Sequence, residues 1–217
     1  MYRILAPESL VTLCIYLLAC TVHSAAIAQQ PANSKVALQD SFDRSELGDQ
    51  WTISSGQWKL ADGALIGMEQ SKNKGSAVIR RKAATGNAVY EFKFMLSEKT
   101  DSLEFAFDPP TDDATINASQ FSLKITPNAW FITKDTTETR AEDSDQAVIA
   151  KQNKKFAPNR WYDARITTWG PYVTAKIDKR STLTASAQTF STKKSAIVFH
   201  SSGGPVEIDD IQIWTQH

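Results

Sequence analysis

From Val36 onward, apolar and polar side chains alternate with a period of two along much of the chain. Tyr90, Phe92 and Phe94 alternate with Glu91 and Lys93, and Leu103, Phe105 and Phe107 with Glu104 and Asp108. Phe121, Leu123 and Ile125 alternate with Ser122 and Lys124, and Val173, Ala175 and Ile177 with Thr174 and Lys176. Strand side chains point to opposite faces in turn, so each run predicts a β-strand with one face in a core and the other wet. No segment of helical length carries a 3.6-residue period. A single helical turn is expected only in the polar stretch Glu138 to Gln146.

Turn-forming pairs fall between these runs. Asp62-Gly63, Gly86-Asn87, Pro109-Pro110, Pro127-Asn128, Gly170-Pro171 and Gly203-Gly204-Pro205 each separate two β-patterned segments. Many short strands punctuated in this way predict an all-β, antiparallel two-sheet sandwich over residues 37–217. The polar, acidic stretch Thr111 to Ser119 is expected to be a surface loop. Asp62-Gly63 suits a hairpin turn that needs positive φ. Trp51 and Trp58 flank a turn where large rings can seal one end of a sandwich. The last run, Val206 to Trp214, mixes its two faces, with Val206, Ile208 and Asp210 set against Glu207, Asp209 and Ile211.

The first 28 residues change the picture of where this domain works. Arg3 is followed by an apolar run from Leu10 to Val22 and by Ala26-Ile27-Ala28, the small-x-small pattern that a signal peptidase accepts. Residues 1–28 are therefore expected to be a signal peptide and 29–36 a disordered lead-in, placing the protein in the periplasm, at the cell surface or outside the cell. Leu17-Leu18-Ala19-Cys20 also resembles a lipobox, the alternative being a lipid anchor at Cys20. No later run is long enough to span a membrane.

Both cysteines, Cys14 and Cys20, lie within this leader. The domain after it has neither disulfides nor a thiolate nucleophile, so about 190 residues must be held by their core alone. The formal charge is zero, with 24 basic and 24 acidic residues and no basic cluster, which argues against a nucleic-acid partner.

Three stretches together resemble a known family. They are Asp40-Ser41-Phe42-Asp43 through Trp51 with Gly56-Gln57-Trp58 through Leu65, Arg160-Trp161-Tyr162-Asp163 through Asp178, and Gly203-Gly204-Pro205 through Trp214. In this order they are similar to the concanavalin A-like lectin/glucanase superfamily, nearest to the 3-keto-disaccharide hydrolase domain of secreted bacterial proteins. The resemblance implies a jelly roll with its first and last strands side by side. The chain departs from that branch where an Asn-Ser-Gly triplet precedes a central strand ending near an arginine, because it reads Asp101-Ser102-Leu103-Glu104-Phe105-Ala106-Phe107. Its closing motif is Asp209-Asp210-Ile211 instead of Arg-Asn-Ile.

Candidate chemistry is sparse. His200 and the terminal His217 are the only histidines beyond the leader, and His200 reads as a half-buried strand-end residue rather than a base. No G-x-S-x-G nucleophile turn or metal-binding histidine pair occurs. Glycoside hydrolysis asks for two carboxyl groups about 5–9.5 Å apart, and Glu91 with Glu104, on successive strands, is the pair that spacing offers. The E-x-D-x-x-E strand of sandwich glucanases is absent. Sugar binding needs less, an aromatic platform with a few polar groups. Asp163, Arg165, Trp169, Tyr172 and Lys176 fall on one strand face and form such a patch, with Trp130 as a further candidate; the alternative is that the tryptophans pack under loops. Jelly-roll carbohydrate modules often hold a structural Ca²⁺ where first and last strands meet, and Asp40, Asp43, Asp209 and Asp210 would supply its oxygen ligands.

The sequence thus leads to an exported glycan-binding or glycan-processing sandwich with no identifiable catalytic apparatus and a carbohydrate ligand. A glycoside hydrolase of the 3-keto-disaccharide type is the alternative. A structural or protein-interaction domain of the cell envelope is a second.

Overall fold

A computed structural model describes residues 33–70, 75–108, 121–135 and 146–216. The leader, Pro109-Pro110, the expected loop 111–119, the expected helical turn before Gln146 and His217 lie outside the described residues. The described chain forms β1 (Ser34–Asp40), β2 (Trp51–Ser55), β3 (Gln57–Ala61), β4 (Ala64–Met68), β5 (Ala77–Thr85), β6 (Ala88–Leu96), β7 (Thr100–Asp108) and β8 (Phe121–Thr126). It continues through β9 (Ala129–Asp135), β10 (Gln146–Asn153), β11 (Trp161–Trp169), β12 (Tyr172–Ile177), β13 (Ser181–Ser186), β14 (Lys194–Gly203) and β15 (Val206–Gln216). One 3-10 turn, Gln188–Ser191, is the only helical element among the described residues. No helix among them is long and apolar enough to cross a membrane. β1 begins at Ser34, so the expected lead-in gives way to strand three residues early.

The strands make two antiparallel sheets. Sheet A runs β13-β12-β11-β6-β15-β4-β3, and β1 also pairs with β15; sheet B runs β10-β9-β8-β7-β14-β5-β2. The first and last strands are neighbours, as the jelly-roll expectation required, with Ser34 opposite Gln216 and Asp40 opposite Ile211. The alternating residues read from the sequence turn inward and meet ring to ring. Phe92 of sheet A packs on Phe105 of sheet B at 5.1 Å between centroids, Phe107 stacks on Phe121 at 4.5 Å, and Phe94 on Tyr162 at 5.5 Å. Such pairs add to the burial that drives folding.

Asp62 and Gly63 both have positive φ, at 53° and 75°, and close the β3–β4 hairpin as the turn chemistry predicted. Gly67 lies opposite Trp58, and any side chain on it would overlap the six-membered ring of that tryptophan. Trp51 and Trp58 are both buried. The mixed faces of β15 have a local cause. A register shift between Asp209 and Gln212, with Asp210 at φ 49°, resets the alternation, so that Ile211 and Ile213 join Val206 and Ile208 inside.

Two charged groups hold the ends of the core. Lys194 is 2% exposed, and its ammonium donates to the carbonyls of Phe190 (2.9 Å), Gly86 (3.1 Å) and Thr192 (3.1 Å) while sitting 5.2 Å from the Phe107 ring centre. Burial pulls its pKa down to about 8. At the end of β1, Asp40 accepts hydrogen bonds from Arg44 (3.0 Å), the Trp51 indole (2.9 Å), Arg81 (2.5 Å) and the Phe42 backbone N–H (3.1 Å). Burial alone would raise this carboxyl; the bonds from Arg44, Trp51 and Phe42 outweigh it and hold the pKa below the usual value.

Candidate functional site

The sandwich offers two outward faces, and the sequence-derived site residues divide between them. On sheet A, β11 turns Asp163, Arg165 and Trp169 outward, and β12 turns Tyr172 and Lys176 the same way. Arg165 is opposite Lys176 on one side and Glu91 of β6 on the other, and its guanidinium ion-pairs with the Glu91 carboxylate. Trp169 and Tyr172 face each other across the β11–β12 hairpin and are 54% and 62% exposed, so neither packs under a loop. Trp130 does not belong to this patch. It is wholly buried on the inward face of β9, with its indole N–H donating to Gln152 Oε1 at 3.0 Å, because its neighbours Ile132 and Ile125 set the core phase.

The proposed carboxylate pair is overturned by topology. Glu91 stands on the outward face of β6 in sheet A, whereas Glu104 stands on the outward face of β7 in sheet B. Packed sheets lie about 10 Å apart and these side chains project away from each other, so the two carboxylates flank the whole core and cannot share a glycosidic bond. The short connection between β6 and β7 is a corner from one sheet to the other. Ser97 N–H donates to Pro205 O (3.2 Å) and Gly204 N–H to Lys99 O (2.6 Å), tying this corner to the equivalent crossing between β14 and β15.

The calcium set is not assembled either. Asp40 is engaged by its two arginines, and Asp210 pairs with Lys93 at 2.7 Å. Asp209 accepts the Asp210 backbone N–H at 2.6 Å. Its pKa is pushed up to about 6, mainly by burial, with the Asp210 and Asp43 carboxylates adding to the effect and Lys93 opposing it. Among the described residues, no group of three or more His, Cys, Asp or Glu side chains is arranged to hold a metal.

Sheet B carries the more unusual face. His200 lies directly opposite Glu104, and Glu104 directly opposite Lys124. In the adjacent row Arg80, Val198, Ala106, Ser122 and Thr133 follow one another across five strands. Of these, Val198, Ala106, Ser122 and Thr133 are at most 4% exposed although they point away from the core. Ser122 and Thr133 share a hydroxyl–hydroxyl hydrogen bond of 2.5 Å. Small buried residues thus floor this face, and a histidine, a glutamate, a lysine and an arginine rise from it. Burial lowers the His200 pKa, Glu104 partly offsets that, and Arg80 with Lys124 lowers it further. The imidazole is therefore neutral near pH 7 and able to accept a proton, with cations beside it for a developing anion. His200 lies within β14, not at its end. Sequence reading found Glu104 but assigned it the wrong companion. The outward phase of Ala196, Val198, His200 and Ser202 was the available signal that His200 shares the outward face of sheet B with Glu104.

A separate cavity of about 660 Å³ opens where the edge strands β2 and β3 of the two sheets come together, lined by Ile53, Trp58, Ile66, Met68, Pro205 and Glu207 among others. Burial, with Asp62 nearby, raises the Glu207 pKa.

Solved structures share this architecture. A carbohydrate-binding module, CBM66 from Bacillus subtilis, is 15% identical, with a TM-score of 0.60 over 75% of this chain and 93% of its own. SCLam, a non-specific endo-β-1,3(4)-glucanase from family GH16, is 10% identical, with a TM-score of 0.63 over 88% and 94%. A protein of unknown function with a galectin-like fold, also from Bacillus subtilis, is 9% identical, with a TM-score of 0.62 over 85% and 100%. At these identities the likeness is one of fold. No curated protein matches the sequence. The sequence profile of one family does match, over residues 37–214, nearly all of the sandwich, and the chain belongs to the 3-keto-alpha-glucoside-1,2-lyase-like domain family.

Proposed function

We propose that this protein acts outside the cytoplasm on 3-keto glycosides bound at the outward face of sheet B, and breaks their C1–O bond by elimination. A carbonyl at C3 acidifies the C2 hydrogen. Loss of that proton to His200 gives an enolate, whose electrons form the C1–C2 double bond as the glycosidic C1–O bond breaks. The leaving oxygen takes a proton from water and the His200 imidazolium returns its own to solvent, so atoms and electrons balance with no oxidant or reductant. Glu104, opposite His200, orients the imidazole and stabilises its charged form. Arg80 and Lys124 offset the enolate charge. The observation that carries this reading is a half-buried histidine directly opposite a glutamate on the outward face of sheet B, in a domain of this family. The test is turnover of an aryl 3-keto-α-glucoside, which should collapse in His200→Gln. Unchanged turnover in that variant would remove His200 from the chemistry.

A second reading is sugar binding without turnover. It is favoured by the strand Asp101 to Phe107, which has neither the Asn-Ser-Gly triplet nor the arginine expected from the resemblance. Calorimetric binding of the keto sugar with no product formed would establish it.

A further inference from the structure

We infer that the outward face of sheet A is a second, independent carbohydrate surface, one that holds a neutral glycan chain rather than a single reacting sugar. Three rows of side chains run across β11, β12 and β13. Trp169, Tyr172 and Ser186 form the first; Thr167, Thr174 and Thr184 form the second; Arg165, Lys176 and Thr182 form the third, with Glu91 beside Arg165. Successive outward residues on a strand are about 7 Å apart, so three rows cover about 14 Å, the reach of an oligosaccharide. The two residues occupy facing positions at the hairpin end, both exposed, and offer the aromatic surface on which a pyranose stacks its C–H face. Within these three rows every other outward group is a hydroxyl or a charge, and Trp161, at the far end of β11, adds a third exposed ring.

The charges decide the class of occupant. Arg165 and Lys176 are matched by Glu91 and Asp163, leaving no net field to attract an acidic or a basic polymer. A protein partner would need roughly 800 Å² per side with an apolar centre, but here the exposed rings stand at the two ends of β11, Trp169 with Tyr172 at one and Trp161 at the other, and the centre between them is Asp163, Arg165 and Thr167. Hydroxyl-rich, uncharged ligands match hydroxyls and a paired Arg–Glu that can both donate and accept. The inference rests on the reading of the domain as carbohydrate-directed, yet it uses the face opposite to His200 and Glu104.

Affinity electrophoresis through gels containing a soluble β-1,3-glucan, a β-1,4-glucan or an α-1,4-glucan tests it. The protein should be retarded by at least one polymer. Trp169→Ala and Tyr172→Ala should each weaken that retention by about tenfold, and Trp169→Phe should preserve most of it. Glu104→Gln should retain it fully, which separates this surface from the sheet B site. Equal melting temperatures for all four variants exclude misfolding. Retention unchanged in both alanine variants would overturn the inference, as would no retardation on any of the three polymers, or loss of retention in Glu104→Gln alone. A concentration-dependent dimer abolished by Trp169→Ala would overturn it in favour of a second copy of the chain.

Discussion

His200 of β14 and Glu104 of β7 occupy facing positions in one antiparallel ladder, both directed away from the aromatic core. A sheet face normally exposes its outward residues; this pair instead stands on a floor of buried small side chains. His200→Gln and Glu104→Gln should therefore leave folding intact while lowering keto-glycoside turnover by about 10²-fold or more. In the wild type the rate should rise with pH as His200 loses its proton, with the inflection below 6.5. Steady-state rates between pH 4 and 8 check both, and a flat profile would point to another base.

Asp40 is a stability residue. Asp40→Asn should cost about 2–3 kcal/mol, because two guanidiniums lose their shared carboxylate at a partly solvated edge. The folded pKa is depressed, so this stabilisation is complete above the unfolded value near 3.9 and lost as pH falls through the lower, folded one. Thermal melts of wild type and variant should be well separated at pH 6 and converge toward pH 2.

Lys194 shows the same sign of pH dependence in a higher window. Its folded pKa of about 8 lies below the ordinary 10.5, so the unfolded chain holds more protons between those values and stability rises with pH across that window. Lys194→Met strips the donor from three carbonyls and should destabilise by about 2 kcal/mol. Urea midpoints measured from pH 7 to 10 should show the gap between wild type and variant widening.

Asp209, with its carboxyl raised to about 6, is destabilising when ionised. The wild type should gain stability as pH drops from 6 toward 4, where the folded carboxyl is already protonated and the unfolded one is not. Asp209→Asn should be more stable than wild type at pH 7.5 by about 1 kcal/mol after allowing for solvent screening, and equal to it near pH 4. A variant less stable at both pH values would show that Asp209 makes a favourable contact instead.

The strands and their inward faces were legible because period-two alternation reports side-chain direction directly: Tyr90, Phe92, Phe94, Leu103, Phe105 and Phe107 all turned inward as read. Alternation says nothing about which strand lies next door. β6 and β7 follow each other after a short connection and look like a hairpin, yet backbone bonds to Gly204 and Pro205 turn that connection into a corner between sheets. This single unseen crossing placed Glu91 and Glu104 on opposite sides of the protein. Trp130, for which a ligand-facing and a packed placement were both open, is packed, and its residue type alone could not reveal its face. The Asp209–Gln212 register shift hid the phase of β15 by inserting residues that break the count. Asp163, Arg165, Trp169, Tyr172 and Lys176 came out on one face because β11 and β12 form a true hairpin, where order along the chain and adjacency in space coincide.

Ser34 and Gln216 sit opposite each other at the same end of the β1–β15 ladder. Tension applied between Ser34 and Gln216 would consequently peel these strands apart like a zipper, loading their hydrogen bonds one at a time instead of shearing them together. The terminal strand would yield at low force while the aromatic interior remained closed.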